Sequence, residues 1–329
     1  MSLDGKLIAR AKTRLDEKRR RNDTLYERRL ESVYAKAPRI RAIDADIRKT
    51  MTDLVRAALT PGSEGTIEDI RLRNIELQEN RRAELMHAGF PANYLDDEYM
   101  CPNCRDTGYK GTEICGCLME LYKDELRVSL SNLFKLGDET FDSFDLSYYD
   151  ETLAPDTGIS ARRSMEIIYE TCIEYARKFG KKSINLFFNG APGLGKTFLS
   201  ACIARVVADS GFSVVYDTAS SVFSKFEDAK FSRSEDMEET RSEVKRYLEC
   251  DLLILDDLGT EMTTSFTISA LYEIVNSRLI TGRKTIVSSN LTLHELNRRY
   301  SEQIMSRIEG DYQVLTFRGD DIRKKKNTI

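Results

Sequence analysis

The sequence feature that most constrains this chain is a glycine-rich turn between an apolar strand and a helix. The turn has the pattern Gly190-x-x-x-x-Gly195-Lys196-Thr197, and residues 184–188 and 198–208 supply the strand before it and the helix after it. Glycines in such a turn let backbone N–H groups surround phosphate oxygens, and the helix N-terminus adds partial positive charge. The pattern therefore predicts a binding site for a nucleoside triphosphate.

The phosphate-binding residues are expected to form one continuous run. Lys196 is placed to reach the β- and γ-phosphates, and the Thr197 hydroxyl is placed to hold Mg²⁺. The complete run is Gly190, Ala191, Pro192, Gly193, Leu194, Gly195, Lys196, Thr197 and Phe198.

A second apolar strand ends in two acidic residues about sixty positions after the glycine-rich turn. Residues 252–255 are all apolar, and Asp256 and Asp257 follow them directly. Buried parallel strands present the side chains at their carboxyl ends to the phosphate site. We expect Asp256 to hold Mg²⁺ through its water shell and Asp257 to polarise the attacking water.

A further strand, residues 284–290, ends on Asn290. A side-chain amide at this position can orient the attacking water or contact the γ-phosphate. The alternative is that Asn290 only caps the next helix, expected over residues 291–297. The charged tail, residues 320–326, is expected to fray, with Arg323 able to reach the nucleotide.

Four of the seven cysteines fall within 17 positions of one another. A Cys-x-x-Cys pair and a Cys-x-Cys pair can place four thiolates tetrahedrally around one Zn²⁺. The alternative, a redox-active Cys-x-x-Cys, lacks the helix that follows it in thioredoxin-like sites. The predicted zinc ligands are Cys101, Cys104, Cys115 and Cys117.

The chain of 329 residues is long enough for more than one domain. Helical periodicity from Lys6, a break at Pro61-Gly62 and a second helix up to Gly89 predict a helical hairpin, which either binds a partner or is simply solvated. The predicted domains are residues 1–90, helical; 91–140, zinc-binding with a linker; and 141–329, the nucleotide-binding α/β domain. No apolar run approaches the roughly 20 residues that cross a bilayer, and no signal-peptide core is found. We therefore expect a cytoplasmic protein without membrane contact.

The motifs together resemble those of the AAA+ ATPases, specifically the DnaC/DnaI helicase-loader and IstB group. Over residues 141–326, the glycine-rich turn, the strand ending in Asp256 and Asp257, the strand ending in Asn290 and the helix bearing Arg307 are similar to that group's Walker A, Walker B, sensor 1 and arginine-finger motifs. The resemblance implies a five-stranded parallel sheet flanked by helices. It also implies that ATP and Mg²⁺ are cofactors, and that Arg307 acts in trans on a neighbouring copy, so that the ATP site self-associates.

The resemblance implies a partner as well as an activity. The cysteine segment resembles DnaI-type loaders, so residues 1–140 are expected to bind a DnaB-type replicative helicase, which the ATPase delivers onto single-stranded DNA during replication. Residues 223–231, which interleave phenylalanine and lysine, match the group's DNA-binding element, although core packing is an alternative. Two other functions stay open: an IstB-like transposition ATPase, and a zinc-containing adaptor whose nucleotide site is a switch. We expect no full helical lid of the kind that many AAA+ proteins have, and Arg323 is a candidate substitute for its sensor arginine.

Overall fold

The computed structural model describes residues 3–60, 64–96, 98–134, 139–155, 158–231 and 237–326. The chain divides into two compact units, one formed by Met1–Ala11 with Met119–Ile329 and the other by Lys12–Leu118. The functional boundaries at residues 90 and 140 stay a prediction. No helix in the described ranges is both long and apolar enough to cross a membrane.

Helices and short strands alternate along most of the chain. The helices are α1 (Gly5–Lys36), α2 (Pro38–Ala58), α3 (Glu64–His87), α4 (Gly116–Phe134), α5 (Ala161–Arg177), α6 (Lys196–Asp209), α7 (Ala219–Phe231), α8 (Met237–Glu249), α9 (Ser265–Ile280), α10 (Leu293–Arg299), α11 (Glu302–Asp311) and α12 (Ile322–Lys326). The strands are β1 (Tyr109–Lys110), β2 (Glu113–Ile114), β3 (Asn185–Asn189), β4 (Val214–Thr218), β5 (Leu252–Leu258), β6 (Lys284–Ser289) and β7 (Tyr312–Thr316).

The larger unit is built on a five-stranded parallel sheet in the order β4-β5-β6-β3-β7. Its strands are short apolar runs that are buried along most of their length, as expected for strands covered on both faces. Side chains of α7, α9 and α11 share one buried cluster with alternate residues of the strands, including Leu253 and Leu255 of β5. The predicted α/β fold with a five-stranded parallel sheet is confirmed. All carboxyl ends of the strands meet at one sheet edge, where the predicted nucleotide residues lie.

The smaller unit contains a helical hairpin in which α2 packs against α3. Asp44 of α2 is buried, accepts a hydrogen bond from Tyr34 at 2.9 Å and pairs with Arg81 of α3 at 2.7 Å. The hairpin was expected from the break at residues 61–62, which lie outside the described ranges.

One helix boundary in this unit differs from the prediction. The periodic segment from Lys6 to Ala58 is two helices, because the chain breaks at Ala37 and restarts with Pro38 in the first turn of α2. Proline has no N–H to continue the α1 ladder, and its ring forces the preceding residue out of the helical region. Ala37 accordingly has φ −135° and ψ 77°.

Candidate nucleotide-binding site

The glycine-rich turn takes a backbone path that only glycine follows without strain. Gly193 has φ +78°, and a Cβ there would lie 1.8 Å from a carboxylate oxygen of Asp321. Gly195 has φ +90° and immediately precedes α6, whose N-terminus therefore faces the turn. The turn is thus shaped by close approach of other segments as well as by its own sequence.

Lys196 and Asn290 meet at the centre of the site. The Lys196 ammonium donates to the carbonyl oxygens of Gly190 at 2.6 Å and Ala191 at 2.9 Å, and to Asn290 Oδ1 at 2.7 Å. Burial and the nearby charge of Arg323 lower the pKa of Lys196, and Asp257 and Asp256 partly offset this. Asn290 does not cap the next helix, because the Thr292 side chain accepts the N–H of Glu295 and serves as the cap of α10.

Asp256 is buried and fully hydrogen-bonded. One carboxylate oxygen accepts from Thr197 Oγ1 at 3.1 Å and from the Tyr216 hydroxyl at 2.7 Å, and the other accepts from the Ser288 hydroxyl. The Asp256 carboxylate and the Thr197 hydroxyl are hard oxygen donors next to each other, which fits the preference of Mg²⁺. These are the two residues that could hold the ion.

A bulge in β5 brings the second acid into the same site. Leu255 pairs with Val287 and Leu258 with Ser289, so β5 has one residue more than β6 between these pairs. Asp257, at the bulge, has φ +55°, which is uncommon for a residue other than glycine. Consecutive side chains of a regular strand point to opposite faces. The bulge lets Asp257 line the nucleotide cavity although Asp256, directly before it, is bound to Thr197 and Tyr216.

The Asp257 carboxyl group is also electrostatically perturbed. Burial, and next the charge of Asp256, raise its pKa, while Lys196, Arg323 and a hydrogen bond with Asn290 lower it. The net pKa of Asp257 lies above its ordinary value of 3.8. Asp257 is therefore a more basic carboxylate than a solvated aspartate, as suits a group that accepts a proton from water.

A cavity of about 370 Å³ opens over the turn. Its lining includes the predicted run from Pro192 to Phe198, together with Asp257 and Asn290. The segment before α5 closes one side: Phe144 stacks on Tyr169 with ring centroids 5.3 Å apart and also contacts the Phe198 ring. The cavity thus combines an apolar wall with a polar phosphate loop, as nucleotide sites do.

The sequence comparisons agree with this geometry. Residues 174–328 match the family described as IstB-like ATP binding protein. Replicative helicase loader DnaC from Buchnera aphidicola subsp. Baizongia pistaciae is 29% identical over 153 residues, which are 46% of this chain and 61% of that protein. DnaC from Escherichia coli strain K12 is 24% identical with the same coverage. Residues 174–328 are therefore similar to the ATP-binding domain of the DnaC/IstB group.

The chain thus spans less than two thirds of the length of these relatives. Among solved structures, the crystal structure of DnaI has a TM-score of 0.42 and 22% identity, covering 55% of this chain and 89% of that one. The crystal structure of the DnaC helicase loader has a TM-score of 0.43 and 19% identity, covering 54% and 98%. The match to the family described as IstB-like ATP binding protein supports an ATP-binding fold for residues 174–328.

Arg307 lies away from the AAA+ domain's own nucleotide cavity. It is half-buried on α11 and is not among the described residues that line the cavity. Its guanidinium instead contacts Tyr272 and Asn276 of α9. The structure therefore brings together every predicted nucleotide residue of this chain except Arg307.

The C-terminal tail folds onto the phosphate loop rather than fraying. The Ile322 N–H donates to the Gly193 carbonyl at 3.1 Å, and the Asp321 carboxylate accepts from the Arg323 N–H at 3.0 Å at the start of α12. Ile322 and Arg323 line the nucleotide cavity. The expectation that this tail is frayed was wrong because backbone bonding to Gly193 holds it in place.

The phenylalanine-lysine segment of α7 divides into a buried and an exposed part. Val222, Phe223 and Phe226 belong to the core, and Lys225 donates to Asp217 at 3.0 Å. Phe231 is 62% exposed, and the Lys230 ammonium lies 5.3 Å from the centroid of Phe266. The core alternative thus holds for the first part of the segment only.

The four predicted zinc ligands lie together in the smaller unit. The thiol sulfurs of Cys101, Cys104, Cys115 and Cys117 are all within 4.8 Å of one another, with Cys101 and Cys115 3.7 Å apart and Cys104 and Cys117 3.4 Å apart. Zn–S bonds of about 2.3 Å in a tetrahedron require sulfurs about 3.8 Å apart. The cluster therefore fits a structural zinc ion.

The backbone around the cysteine cluster is built for thiolates. The Gly108 N–H donates to the Cys104 sulfur at 3.3 Å, and buried Asp106, with φ +60°, accepts the Cys101 N–H at 2.7 Å. Burial raises the pKa of Cys104, but the Gly108 N–H and the neighbouring thiols lower it by more, whereas burial and hydrogen bonds with the other thiols raise the pKa of Cys117.

Several residues that shape the site were not found from the sequence. Tyr216 and Ser288, which hold Asp256, come from neighbouring strands. Glu261 accepts the Gly259 N–H at 2.9 Å and a hydrogen bond from the Tyr300 hydroxyl, which fixes the loop after Asp257 to the end of α10. Ser288 belongs to the Ser-Ser-Asn290 motif, so it could have been identified from the sequence. Tyr216 and Glu261 belong to no local motif and could not.

Proposed function

We propose that this protein is an ATP-dependent loader that delivers a DnaB-type replicative helicase onto single-stranded DNA in the cytoplasm. The observation that carries the proposal is the convergence of Lys196, Asp256, Asp257 and Asn290 at one sheet edge, in a domain similar to DnaC. An ATPase that drives assembly needs these groups, whereas a passive adaptor does not.

Each polar residue of the site has its own role in ATP hydrolysis. Lys196 binds the β- and γ-phosphates, and Thr197 and Asp256 hold Mg²⁺, which neutralises phosphate charge when bound. Asp257 orients the attacking water and accepts its proton, and Asn290 fixes Lys196 and that water. These groups stabilise charge and position reactants, which is most of what phosphoryl transfer requires.

The site is completed by a second copy of the chain. Arg307 of one subunit contacts the γ-phosphate bound to its neighbour, so ATP joins subunits and hydrolysis removes the link. The position of Arg307 outside its own cavity supports this arrangement. An arginine acting in trans stabilises the transition state by roughly 10³- to 10⁵-fold in other phosphoryl-transfer systems.

Single-stranded DNA binds at the exposed end of α7. Phe231 and Phe266 lie 6.0 Å apart with Lys230 over both rings, and Met262, nearby in sequence to Phe266, is 85% exposed. Exposed aromatic rings stack on bases, and a lysine next to them neutralises a phosphate.

The helicase binds through residues 1–140. Zinc held by the four cysteines gives a small segment a fixed surface that it has too little core to form alone. The relatives named as helicase loaders support a helicase partner, and the DnaI-type cysteine segment of this chain supports its location.

The test uses the full chain with the DnaB-type helicase of the source organism. We expect the two to co-elute in ATP, and the helicase to unwind a fork on circular DNA coated with single-strand-binding protein only when the chain is added. Lys196→Ala should abolish this stimulation, and the matched surface change Lys181→Ala should not. Failure to co-elute at micromolar concentrations contradicts the proposal.

The name of the matched family supports a second candidate, a transposition ATPase of the IstB type. ATP-dependent binding of the full chain to double-stranded DNA and to a transposase, without any binding to the helicase, would favour that candidate. If the parent protein and Asp257→Asn release phosphate at the same rate, the third candidate, an adaptor whose nucleotide site is a switch, would be favoured instead.

A further inference from the structure

We propose that Tyr272 and Asn276 are positioning residues that hold the Arg307 guanidinium in the orientation it needs at a neighbour's nucleotide. The inference rests on the proposed trans role of Arg307 and names the residues of the same chain on which that role depends.

The guanidinium is held on several sides by α9. Asn276 Oδ1 accepts from Arg307 Nε at 3.1 Å and from Nη2 at 2.9 Å, so the side-chain amide binds two corners of the guanidinium. The Tyr272 hydroxyl lies 3.1 Å from Nη2, and the Arg307 guanidinium lies 4.8 Å from the centroid of the Tyr272 ring. The ring and the amide together fix both the plane and the rotation of the guanidinium.

The same contacts determine which atom is left for a phosphate. A guanidinium has five N–H donors. Asn276 takes the Nε donor and one on Nη2, Tyr272 takes the other on Nη2, and the Gln303 carbonyl takes one on Nη1 at 3.1 Å. The remaining donor, on Nη1, has no partner in the described ranges. Nη1 is therefore the corner presented to the neighbouring subunit.

The two helices that carry these residues are rigidly placed. Tyr272 and Asn276 are four residues apart and lie on the same face of α9. The core-facing side of α9 is anchored by buried Leu271, Ile274 and Val275, and α11 is anchored by buried Ile304 and Ile308. Because neither helix can shift without disturbing the core, the guanidinium is oriented before any nucleotide arrives.

Such pre-orientation has a kinetic consequence. A mobile arginine side chain loses conformational entropy when it is ordered in the transition state, whereas a pre-oriented side chain has already lost it. Misplacement of a catalytic group by about 1 Å can lower the rate by about 10²-fold. Tyr272 and Asn276 are not among the described residues that line the nucleotide cavity of their own chain. Their loss should therefore lower kcat and leave the affinity for ATP unchanged.

The experiment compares ATP hydrolysis at saturating protein with the dissociation constant of a fluorescent ATP analogue. We expect Asn276→Ala to lower kcat by roughly 10- to 100-fold with the dissociation constant changed less than about twofold. Tyr272→Phe, which keeps the ring, should lose only a few-fold, and Tyr272→Leu should lose as much as Asn276→Ala. Ser269→Ala, an exposed polar change on the same helix, is the matched control and should behave like the parent.

A double-mutant cycle with Arg307→Ala separates positioning from general destabilisation. If Asn276 acts through Arg307, the double variant hydrolyses ATP as slowly as Arg307→Ala alone. Additive losses, or a parental rate for Asn276→Ala while Arg307→Ala is inactive, overturn the positioning role and leave the proposed function standing. If Arg307→Ala hydrolyses ATP at the parental rate, both the positioning role of Tyr272 and Asn276 and the proposed trans role of Arg307 are overturned.

Discussion

Asp257 shows how one residue in an unfavourable backbone conformation serves a reaction. Its left-handed φ at a strand bulge costs on the order of 1–3 kcal/mol, and the surrounding sheet keeps it there. The bulge gives two consecutive acids different environments. Asp256 is buried against Thr197 and Tyr216, whereas Asp257 faces the cavity. The environment of each carboxylate, and not its identity, separates the proposed metal-binding residue from the proposed base.

The charge of Arg323 predicts a pH effect. Arg323 lowers the pKa of Asp257, so replacing it with glutamine should raise that pKa further above the ordinary value. Hydrolysis requires ionised Asp257, and the acidic limb of kcat/KM reports the pKa of the free enzyme's base. In Arg323→Gln the limb should therefore move to higher pH, whereas Lys324→Gln, one residue away, should move it less. A limb that stays in place or moves to lower pH contradicts this assignment.

At the scale of elements, we expect the cysteine segment to depend on a zinc ion for its folding. Strands β1 and β2 have two residues each and the hairpin they form has little core, so the zinc ion should supply its folding energy. The full chain should contain about one zinc per molecule. Cys104→Ser should lower the zinc content and the melting temperature, while Cys202→Ala, a buried thiol elsewhere, should keep the zinc. Less than about half an equivalent in the parent contradicts a four-thiolate site.

A buried arginine connects α8, α9 and β6. Arg278 is 0% exposed, and its guanidinium donates to the carbonyl oxygens of Tyr247 at 2.7 Å and Cys250 at 3.1 Å and to Thr285 Oγ1 at 2.9 Å. Positive charge at a helix C-terminus is favourable, and the carbonyl groups would otherwise be unsatisfied.

Replacing this arginine should destabilise the larger unit. Arg278→Met keeps the bulk but leaves those acceptors buried without donors, which should cost roughly 2–4 kcal/mol. Urea unfolding followed by circular dichroism measures the loss. The exposed change Arg177→Met should stay within about 0.5 kcal/mol of the parent. Equal stability of both variants would show that the Arg278 network contributes nothing.

The elements that sequence patterns predicted are those set by local chemistry. The strand-turn-helix at Gly195, the acids after β5 and the paired cysteines each depend on a short run of residues. The features that patterns did not predict depend on contacts between distant segments: the Asp257 bulge needs β6 as partner, and the tail is held by Gly193. The break at Pro38 was not predicted because the helical periodicity of the sequence continues on both sides of it. Proline is tolerated in the first turn of a helix, and here it marks the start of a second helix.

At the scale of the whole molecule, the candidate nucleotide site and the cysteine cluster are separated along the chain. The nucleotide residues lie in the larger unit and the cysteine cluster in the smaller one. Arg307 is not among the described residues that line its own chain's cavity, and the proposed active site is therefore shared between two copies. Hydrolysis should therefore require a head-to-tail assembly, in which each interface joins the ATP of one subunit to the arginine of the next.

Mixing two inactive variants tests this claim most directly. Asp257→Asn should bind ATP and assemble without hydrolysing it, and Arg307→Ala should keep an intact nucleotide site but lack the arginine for its neighbour. Each alone should release phosphate at least about 10²-fold more slowly than the parent. An equal mixture should recover up to about a quarter of the parental rate, because random assembly pairs a competent site with a competent arginine at that fraction of interfaces. A mixture as inactive as its components would contradict a site shared between subunits.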